Sequence, residues 1–535
     1  MSGVNITEVR LLKTHLENDY LHTMYFDNAS DQQNFFKSRT VKTYTDFSYQ
    51  RKDEFIRVPS HYDDVIGCNY VMYKNSGSSN KWYYAFITDM KYVNDERTDV
   101  FIETDVMQTW LFDYQVKSSF VEREHVSDDT IGLHTIPEDL NVGQIVCDYS
   151  TSSSLNGTSG WYWFVIACNY DPISSTKYAG VGLYGDYPQG SSWFAFPIYP
   201  LSNNNGIKEV SDWVHKVVSD GMDGFIQSMF ALPWGIIDPD KVGDDHRLTS
   251  DAVKKYTSTK TLKKSQLNWF KDYTPKNNKL YCYPYSFLRV TNNSGSFNDY
   301  KIEDFKEYDA EQQLTDNVSF KTYATACIGV SGKVIPVSYQ GISENDDESI
   351  PLGKYPTLSW SSDAYTNWLT QNAVNMGIGV ATGISGGAAG GFAIGGPAGA
   401  VVGGVLGGLT SITSAIGGMY QASMLPNTAQ GNANAGDVNF NHERNHISYY
   451  KMRAKKEYLK VIDDFFSMYG YKINQVKIPN KKHRSNWWYT KTIDVNIDGN
   501  IPINDLRKIK ACYNNGITFW RDSNIGDYSK ANTIL

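Results

Sequence analysis

From Cys68 to Asp113 short apolar runs alternate with polar turns. CNYVMY gives way to NSGSSN, KWYYAFITDM follows, and beyond a second turn near Asn94 to Arg97 comes TDVFIETDV. Such runs have strand length and are rich in aromatic and β-branched residues, which fit a pleated, half-buried surface, so they predict an antiparallel meander. The stretch 144–341 continues in the same style with YWFVIAC, WFAFPIYPL, LYCYPYSFLRV and ATACIGV, and predicts one or two β-barrel or sandwich domains. Helices are expected near Ser211 to Val218 and around Asp304 to Leu314. In HISYYKMRAKKEYLKVIDDFFSMYGY, Tyr458, Leu459, Ile462, Phe465, Phe466 and Tyr469 recur at three- and four-residue spacing, which predicts an amphipathic helix. The rest reads strand (YKINQVKIP), strand (WWYTKTIDVNI), helix (PINDLRKIKACY) and strand (ITFWRD). The expected fold class is mainly β with an α+β C-terminal part. Changes of texture divide the chain into 1–143, 144–361, 362–437 and 438–535.

The third of these parts breaks the pattern. SSDAYTNWLTQNAV predicts a helix leading into it, and between Asp363 and Asp437 there is no charged residue. From Gly377 to Gly418, sixteen of forty-two residues are glycine. Gly379, Gly383, Gly387, Gly391, Gly395, Gly399, Gly403 and Gly407 fall four apart, a row that lets backbones approach closely and is best known from membrane helices. In water each interior glycine costs a helix about 0.5–1 kcal/mol relative to alanine, so sixteen would cost on the order of 10 kcal/mol. Pro397 adds a break. An ordinary surface helix is therefore excluded. What remains is an extended loop, or a helical hairpin that needs a membrane or copies of itself. A bilayer crossing takes about 20 helical residues, and the two sides of Pro397 give nearly two such lengths. The more apolar arm carries Val401, Val402, Val405, Leu406, Leu409, Ile412 and Ile416, and Phe392 and Ile394 precede Pro397. No Lys/Arg cluster flanks the segment to set a topology, so conditional insertion is expected: the segment is sheltered first and exposed later. The bland alternative is a glycine-rich linker packed in a protein channel.

Composition narrows the chemistry. The chain has 535 residues, 38 Tyr and 13 Trp, and a formal net charge of -8, which argues against a protein that grips nucleic acid. The six cysteines, Cys68, Cys147, Cys168, Cys282, Cys327 and Cys512, form neither a CxxC pair nor a Cys/His ligand spacing, so a reducing compartment of synthesis is expected and zinc is not. The N-terminal MSGVNITEVRLLKTHLEND has no apolar h-region, so no secretory signal is expected. HERNH matches HExxH, which on a helix would offer His442 and His446 to zinc with Glu443 as general base. It ends an Asn/Gly-rich loop without an evident third ligand, and we take the match as fortuitous. No metal or cofactor is expected. Asp63–Asp64, Asp244–Asp245 and Asp346–Asp347 read as solvated turns. Lys477, Lys481, Lys482, His483 and Arg484, followed by Trp487 and Trp488, could touch a nucleic-acid backbone, but the commoner reading is a hairpin tip in solvent or a subunit contact.

NKWYYAFITDMKY, FIETDVMQTWLFDY and FVEREHV closely resemble the tail knob (distal tube) proteins of small short-tailed bacteriophages, the group that primes DNA replication with a terminal protein. FFSMYGYKINQVKIPN and NNGITFWRDSNIGDYS resemble the same family, and LYCYPYSFLRV is similar to its knob-domain strand. The match is dense over about 20–126 and 449–532 and sparse between. It implies a non-enzymatic virion protein at the distal tail tip, a homohexamer with β-barrel walls. In it 1–143 is a tube domain, 144–361 the knob and 438–535 completes the tube. The implied neighbour is the lower collar or tail tube protein. The hydrophobic loop, by position Met376 to Met419, would fill the lumen, enter the host cytoplasmic membrane on infection and open a path for double-stranded DNA. Relatives do not keep the zinc pattern at HERNH. Independently of the family, six thin, uncharged loops could share a narrow lumen, and acidic walls would let DNA slide. The rival readings are a tail-associated cell-wall hydrolase, which would need a carboxylate pair or metal site not found here, and a receptor-binding module that stacks sugars on the aromatic middle region.

Overall fold

The computed structural model describes residues 8–45, 48–50, 55–74, 81–155, 161–175, 191–198, 205–293, 295–326, 332–352, 357–358, 446–482 and 484–535. They form a mostly β protein with few helices. Two units emerge, each assembled from separated stretches of chain: Met1–Ile145, Asp272–Tyr285 and Ala454–Leu535 make the first, Val146–Lys271 and Ser286–Arg453 the second.

The first unit is built on the predicted meander. Tyr70–Lys74, Tyr83–Asn94 and Arg97–Thr104 pair antiparallel inside a seven-stranded sheet, with Tyr73 opposite Tyr83 and Asn94 opposite Arg97 across the turn. The apolar run of Tyr70–Lys74 does not alternate with polar residues because both of its faces are covered. Val71 and Tyr73 join Val9, Leu11, Ile56 and Val100 on one side. Tyr70 and Met72 join Phe36, Tyr84, Trp487 and Trp520 on the other. Phe36 lies on the helix Ala29–Lys37, whose first turn is capped by the Asn28 side chain accepting from Asp31 N at 2.9 Å, and its ring stacks on Tyr70 at 5.3 Å. Trp487 and Trp520 come from a five-stranded sheet in which Ser119–Glu124 lies between Tyr471–Lys477 and Trp487–Ile493, and His22–Met24 runs parallel to Ile517–Trp520. The helix Ile503–Asn515 closes a further cluster with Ile509, Cys512 and Tyr513 against Trp488 and Phe519.

Charge is buried here with care. The helix Lys456–Tyr469 turns Leu459, Ile462 and Phe466 inward, and with them Asp463, which is 0% exposed. Its carboxylate accepts from Tyr273 Oη (2.8 Å), Lys276 N (2.8 Å), Asn277 N (3.1 Å) and Asn277 Nδ2 (2.8 Å). That satisfies the carboxylate without a cation and fixes 272–285 within the unit. Beside it Lys279 Nζ meets Glu138 Oε1 at 2.6 Å, and Arg123 binds the other oxygen. Burial alone raises the Glu138 pKa, but the adjoining cations and hydrogen bonds bring it below the usual carboxylate value. Gly470 ends the helix at φ 65°; a Cβ there would sit 2.2 Å from the carbonyl oxygen of Glu124.

The second unit has three sheets around one core. Ser192–Ile198, Tyr162–Cys168, Ile226–Pro233 and Thr357–Leu358 form the first. Ile145–Ser154, His446–Ala454, Ser286–Thr291 and Phe297–Tyr300 form the second. The third contains Tyr256–Lys263, Asn317–Ala324, Gly332–Tyr339 and Ile342–Glu344. Trp163, Phe230, Leu288, Tyr300, Phe320 and Tyr449 all enter the core. The expected helix near 211–218 is present as Asn205–Ser219 and lays Trp213 on Phe194 at 4.7 Å.

Three expectations fail. Around 304–314 there is only a single turn, Ile302–Asp304. The Asp309 side chain then accepts from Glu311 N and Gln313 N at 2.9 and 2.8 Å, and this local turn outcompetes a helix. LYCYPYSFLRV is strand only from Ser286, because Asn278–Tyr281 is a tight turn and the backbone after it turns again, Cys282 N donating to the Lys279 carbonyl and Tyr285 N to the Cys282 carbonyl, each at 3.0 Å. HISYYKMRA is a strand, His446–Ala454, and the helix begins at Lys456. Of ATACIGV, Ala324 ends a strand and 327–330 lie outside the described residues.

Candidate functional site

The sequence places function in 376–419. That segment, with Met376, Phe392, Pro397, Met419 and the glycine row between them, lies outside the described residues, as do the helix expected at 361–374 and His442 and Glu443 of HERNH. His446 heads a strand, and its side chain is not described. The described residues do define how the segment is held, because both of its bracketing strands belong to the second unit.

Upstream, Thr357–Leu358 pairs antiparallel with Ile226–Pro233, Leu358 opposite Met229 and Thr357 opposite Phe230. Phe230 is fully buried, its ring 4.9 Å from Trp193. Downstream, the returning strand His446–Ala454 pairs with Ser286–Thr291 from Ser448 opposite Thr291 to Arg453 opposite Ser286. The chain thus leaves one sheet at 358 and re-enters another at 446.

The returning strand is rooted by alternation. Ile447, Tyr449, Lys451 and Arg453 share its inward face, since side chains two apart point the same way. Ile447 and Tyr449 enter the core, whereas the next two inward positions are cations. Arg453 Nε binds Asp148 Oδ2 at 2.5 Å, with both side chains 4% exposed. Lys451 is 1% exposed and its Nζ donates to Ser286 Oγ. Both cations flank the Phe270 ring, at 4.9 Å for Lys451 Nζ and 5.5 Å for the Arg453 guanidinium. Burial pulls the Lys451 pKa down from 10.5 to about 7. The Asp148 charge opposes this shift, the Arg453 charge adds to it, and Glu303 acts in the same sense as Asp148. Breaking such a buried pair by removing one partner costs about 3–5 kcal/mol. The root of the segment is therefore a firm ion pair next to a cation that burial disfavours. Sequence reasoning missed it, although the signal was present: charges at alternate positions, 451 and 453, in an otherwise apolar and aromatic run.

The basic cluster disperses. Trp487 and Trp488 are core residues, Arg484 is buried, Lys477 binds Glu124 at 2.5 Å and Lys482 binds Asp27 at 2.8 Å. Lys481 and Lys482 stay exposed between the strands Tyr471–Lys477 and Trp487–Ile493, and His483 lies outside the described residues. The acidic pairs lie at the surface as expected; Asp64 meets Lys42 at 3.3 Å and Asp346 meets Lys333. Among the described residues no three His, Cys, Asp or Glu side chains converge as metal ligands. No described helix is long and apolar enough to cross a membrane.

A family model described as "Bacillus phage phi29, Tail knob protein gp9, C-terminal domain" matches residues 249–533, and one described as "Caudoviral major tail protein N-terminus" matches residues 5–115. The chain is 27% identical to tail knob protein gp9 of Bacillus phage phi29, covering 100% of this chain and 99% of that one. It is 27% identical to gp9 of Bacillus phage PZA over the same shares, and 26% identical to gp9 of Bacillus phage B103 over 99% and 98%. Its fold is similar to that of the bacteriophage C1 tail knob protein gp12, with a TM-score of 0.60 at 14% identity, covering 99% of this chain and 100% of that one.

Proposed function

Because the chain belongs to the family of the phage phi29 tail knob protein gp9 and is a structural protein of the virion tail, we propose that its segment 376–419 plugs the tail lumen and later penetrates the host membrane. Copies of the chain form a homohexameric ring of β-barrel walls at the distal tail tip, joined to the lower collar or tail tube protein. Six segments fill the lumen until infection. They then enter the host cytoplasmic membrane, and double-stranded DNA passes through without specific binding. The chain acts without catalysis.

The observation that carries this reading is the contrast between the segment and its roots. A stretch with no charge between Asp363 and Asp437 is poorly suited to water. It is bracketed by strands built into the second unit, one of them tied by a buried ion pair. A segment tethered at both ends can change its surroundings without releasing the protein that carries it.

Dye release from liposomes tests the proposal, comparing the whole chain with a version lacking 377–418. Leakage by the whole chain alone is expected. Equal leakage from both, or leakage from neither while both assemble alike, would falsify penetration by this segment. Turnover of purified host cell wall by the whole chain would instead revive the hydrolase reading.

A further inference from the structure

The first unit carries a small aromatic pocket and an exposed turn at the two ends of one hairpin. The pocket, about 120 Å³, falls below the range of roughly 300–1,000 Å³ typical of small-molecule sites and suits a single inserted side chain. Tyr25, Phe112, Tyr114, Trp488, Tyr513 and Phe519 line it. Phe112 is 45% exposed, whereas Tyr114, Trp488, Tyr513 and Phe519 are buried. Lys481 belongs to the same wall. It is exposed, its Nζ lies 5.9 Å from the centre of the Tyr114 ring, and it has no carboxylate partner among the described residues. Its neighbour Lys482 is already paired with Asp27 at 2.8 Å.

The exposed turn joins Tyr83–Asn94 to Arg97–Thr104. At the other end of this hairpin the Tyr83 ring lies 6.3 Å from Trp110 and Tyr84 N donates to Thr109 Oγ1 at 3.0 Å, next to the chain that enters the pocket at Leu111 and Phe112. Tyr92, close to the turn, is roughly 30 Å from Tyr83 at about 3.3 Å per residue. Pairing with Tyr70–Lys74 has stopped before it, at Tyr70 opposite Phe86. Tyr92 is 54% exposed, and it is held in place: its Oη donates to Asp95 Oδ1 at 2.6 Å and its ring lies 6.1 Å from His61. Asp89 faces Lys91 at 3.8 Å, while Glu96 is exposed and has no ion-pair partner among the described residues.

Pocket and turn complement each other in shape and charge, yet they cannot meet within one chain because the length of the hairpin separates them. Aromatic anchors seated in pockets carry much of the binding energy of protein interfaces, and opposite charges at the rim set register. A contact between two different surfaces of identical copies runs head to tail, and such contacts generate rings when the rotation closes. We propose that the hairpin turn of one copy docks into this pocket of the next, Tyr92 filling it and Glu96 meeting Lys481. The inference rests on the ring assembly proposed above and names a contact that closes it.

Sedimentation velocity of the whole chain tests this in the wild type, Glu96→Lys, Lys481→Glu, the two combined, and Tyr92→Ala. All three positions are exposed, so each variant should melt with the wild type. The wild type should assemble. Each single charge reversal sets like charges together and should weaken association by at least about tenfold, the combined reversal should restore it, and Tyr92→Ala should weaken it to a similar extent. A wild type that stays monomeric overturns the ring and this contact with it. An assembled wild type whose association survives both single reversals, or is not restored by the combined one, overturns this contact alone and leaves the ring standing.

Discussion

Lys451→Met is the sharpest test of how the returning strand is held. Methionine has a similar length and shape and no charge, so the strand keeps its packing. It loses the hydrogen bond to Ser286, worth about 1 kcal/mol. It gains relief from burying a cation. A fall in pKa from 10.5 to about 7 means that the unfolded chain holds more protons than the native one throughout that interval. Stability therefore rises with pH between about 7 and 10.5 and is flat with respect to this group on either side. At 1.36 kcal/mol per unit, the cost of the charged lysine at neutral pH is on the order of 4 kcal/mol, and the substitution should stabilise the strand by a few kcal/mol after the lost hydrogen bond is subtracted. The assay is hydrogen exchange read on peptides from 446–454, wild type against variant at matched pH, which isolates this region in a protein too large for two-state unfolding. The variant should exchange more slowly at pH 6 to 7, and the two should converge towards pH 10.5. Faster exchange in the variant at pH 7, or a difference independent of pH, would refute the argument that burial disfavours the charge.

Asp148→Asn strands the Arg453 guanidinium in the same cluster, so exchange over 446–454 should speed up by a factor corresponding to about 3 kcal/mol; an unchanged rate would show that the ion pair holds nothing. Asp463→Ala removes the acceptor of four hydrogen bonds and should cost about 3 kcal/mol or more, with limited proteolysis cutting first within 272–285. Gly470→Ala puts a methyl 2.2 Å from the Glu124 carbonyl oxygen at a φ that alanine rarely adopts; the expected loss is at least about 2 kcal/mol in the melting of the first unit, and a neutral result would mean that the turn relaxes.

Period-two alternation and short apolar runs made the meander and the C-terminal strands legible, because in those stretches the local pattern and the tertiary environment agree. It failed where a side chain competes with the backbone, as Asp309 does. It failed again where an apolar-aromatic run had two possible periods. In HISYYKMRAKKEYLKVIDDFFSMYGY the helical spacing of Tyr458 to Tyr469 extends the expected helix over the first half, which carries Lys451 and Arg453. Only the register with Ser286–Thr291 shows that they point into protein. The glycine row was plain in the sequence, because loss of charge and backbone spacing need no partner to be seen. Its rooting was not, since Asp148 and Phe270, distant in sequence, complete the cluster. Trp487 and Trp488 misled for a related reason: a basic neighbourhood suggested a surface, while the strand they begin is interior.

The parallel pairing of His22–Met24 with Ile517–Trp520 joins the two ends of the chain. During synthesis the N-terminal strands emerge first and must wait for their last partner, for on the order of a minute at about 5–20 residues per second. Over that interval the apolar face that Trp487 and Trp520 will cover stays open, and the uncharged segment has already been made. The sheet of the first unit can close only once residues 517–520 have been made. A chain that stops short of residue 517 lacks that closing strand, so it leaves an apolar, aggregation-prone face exposed.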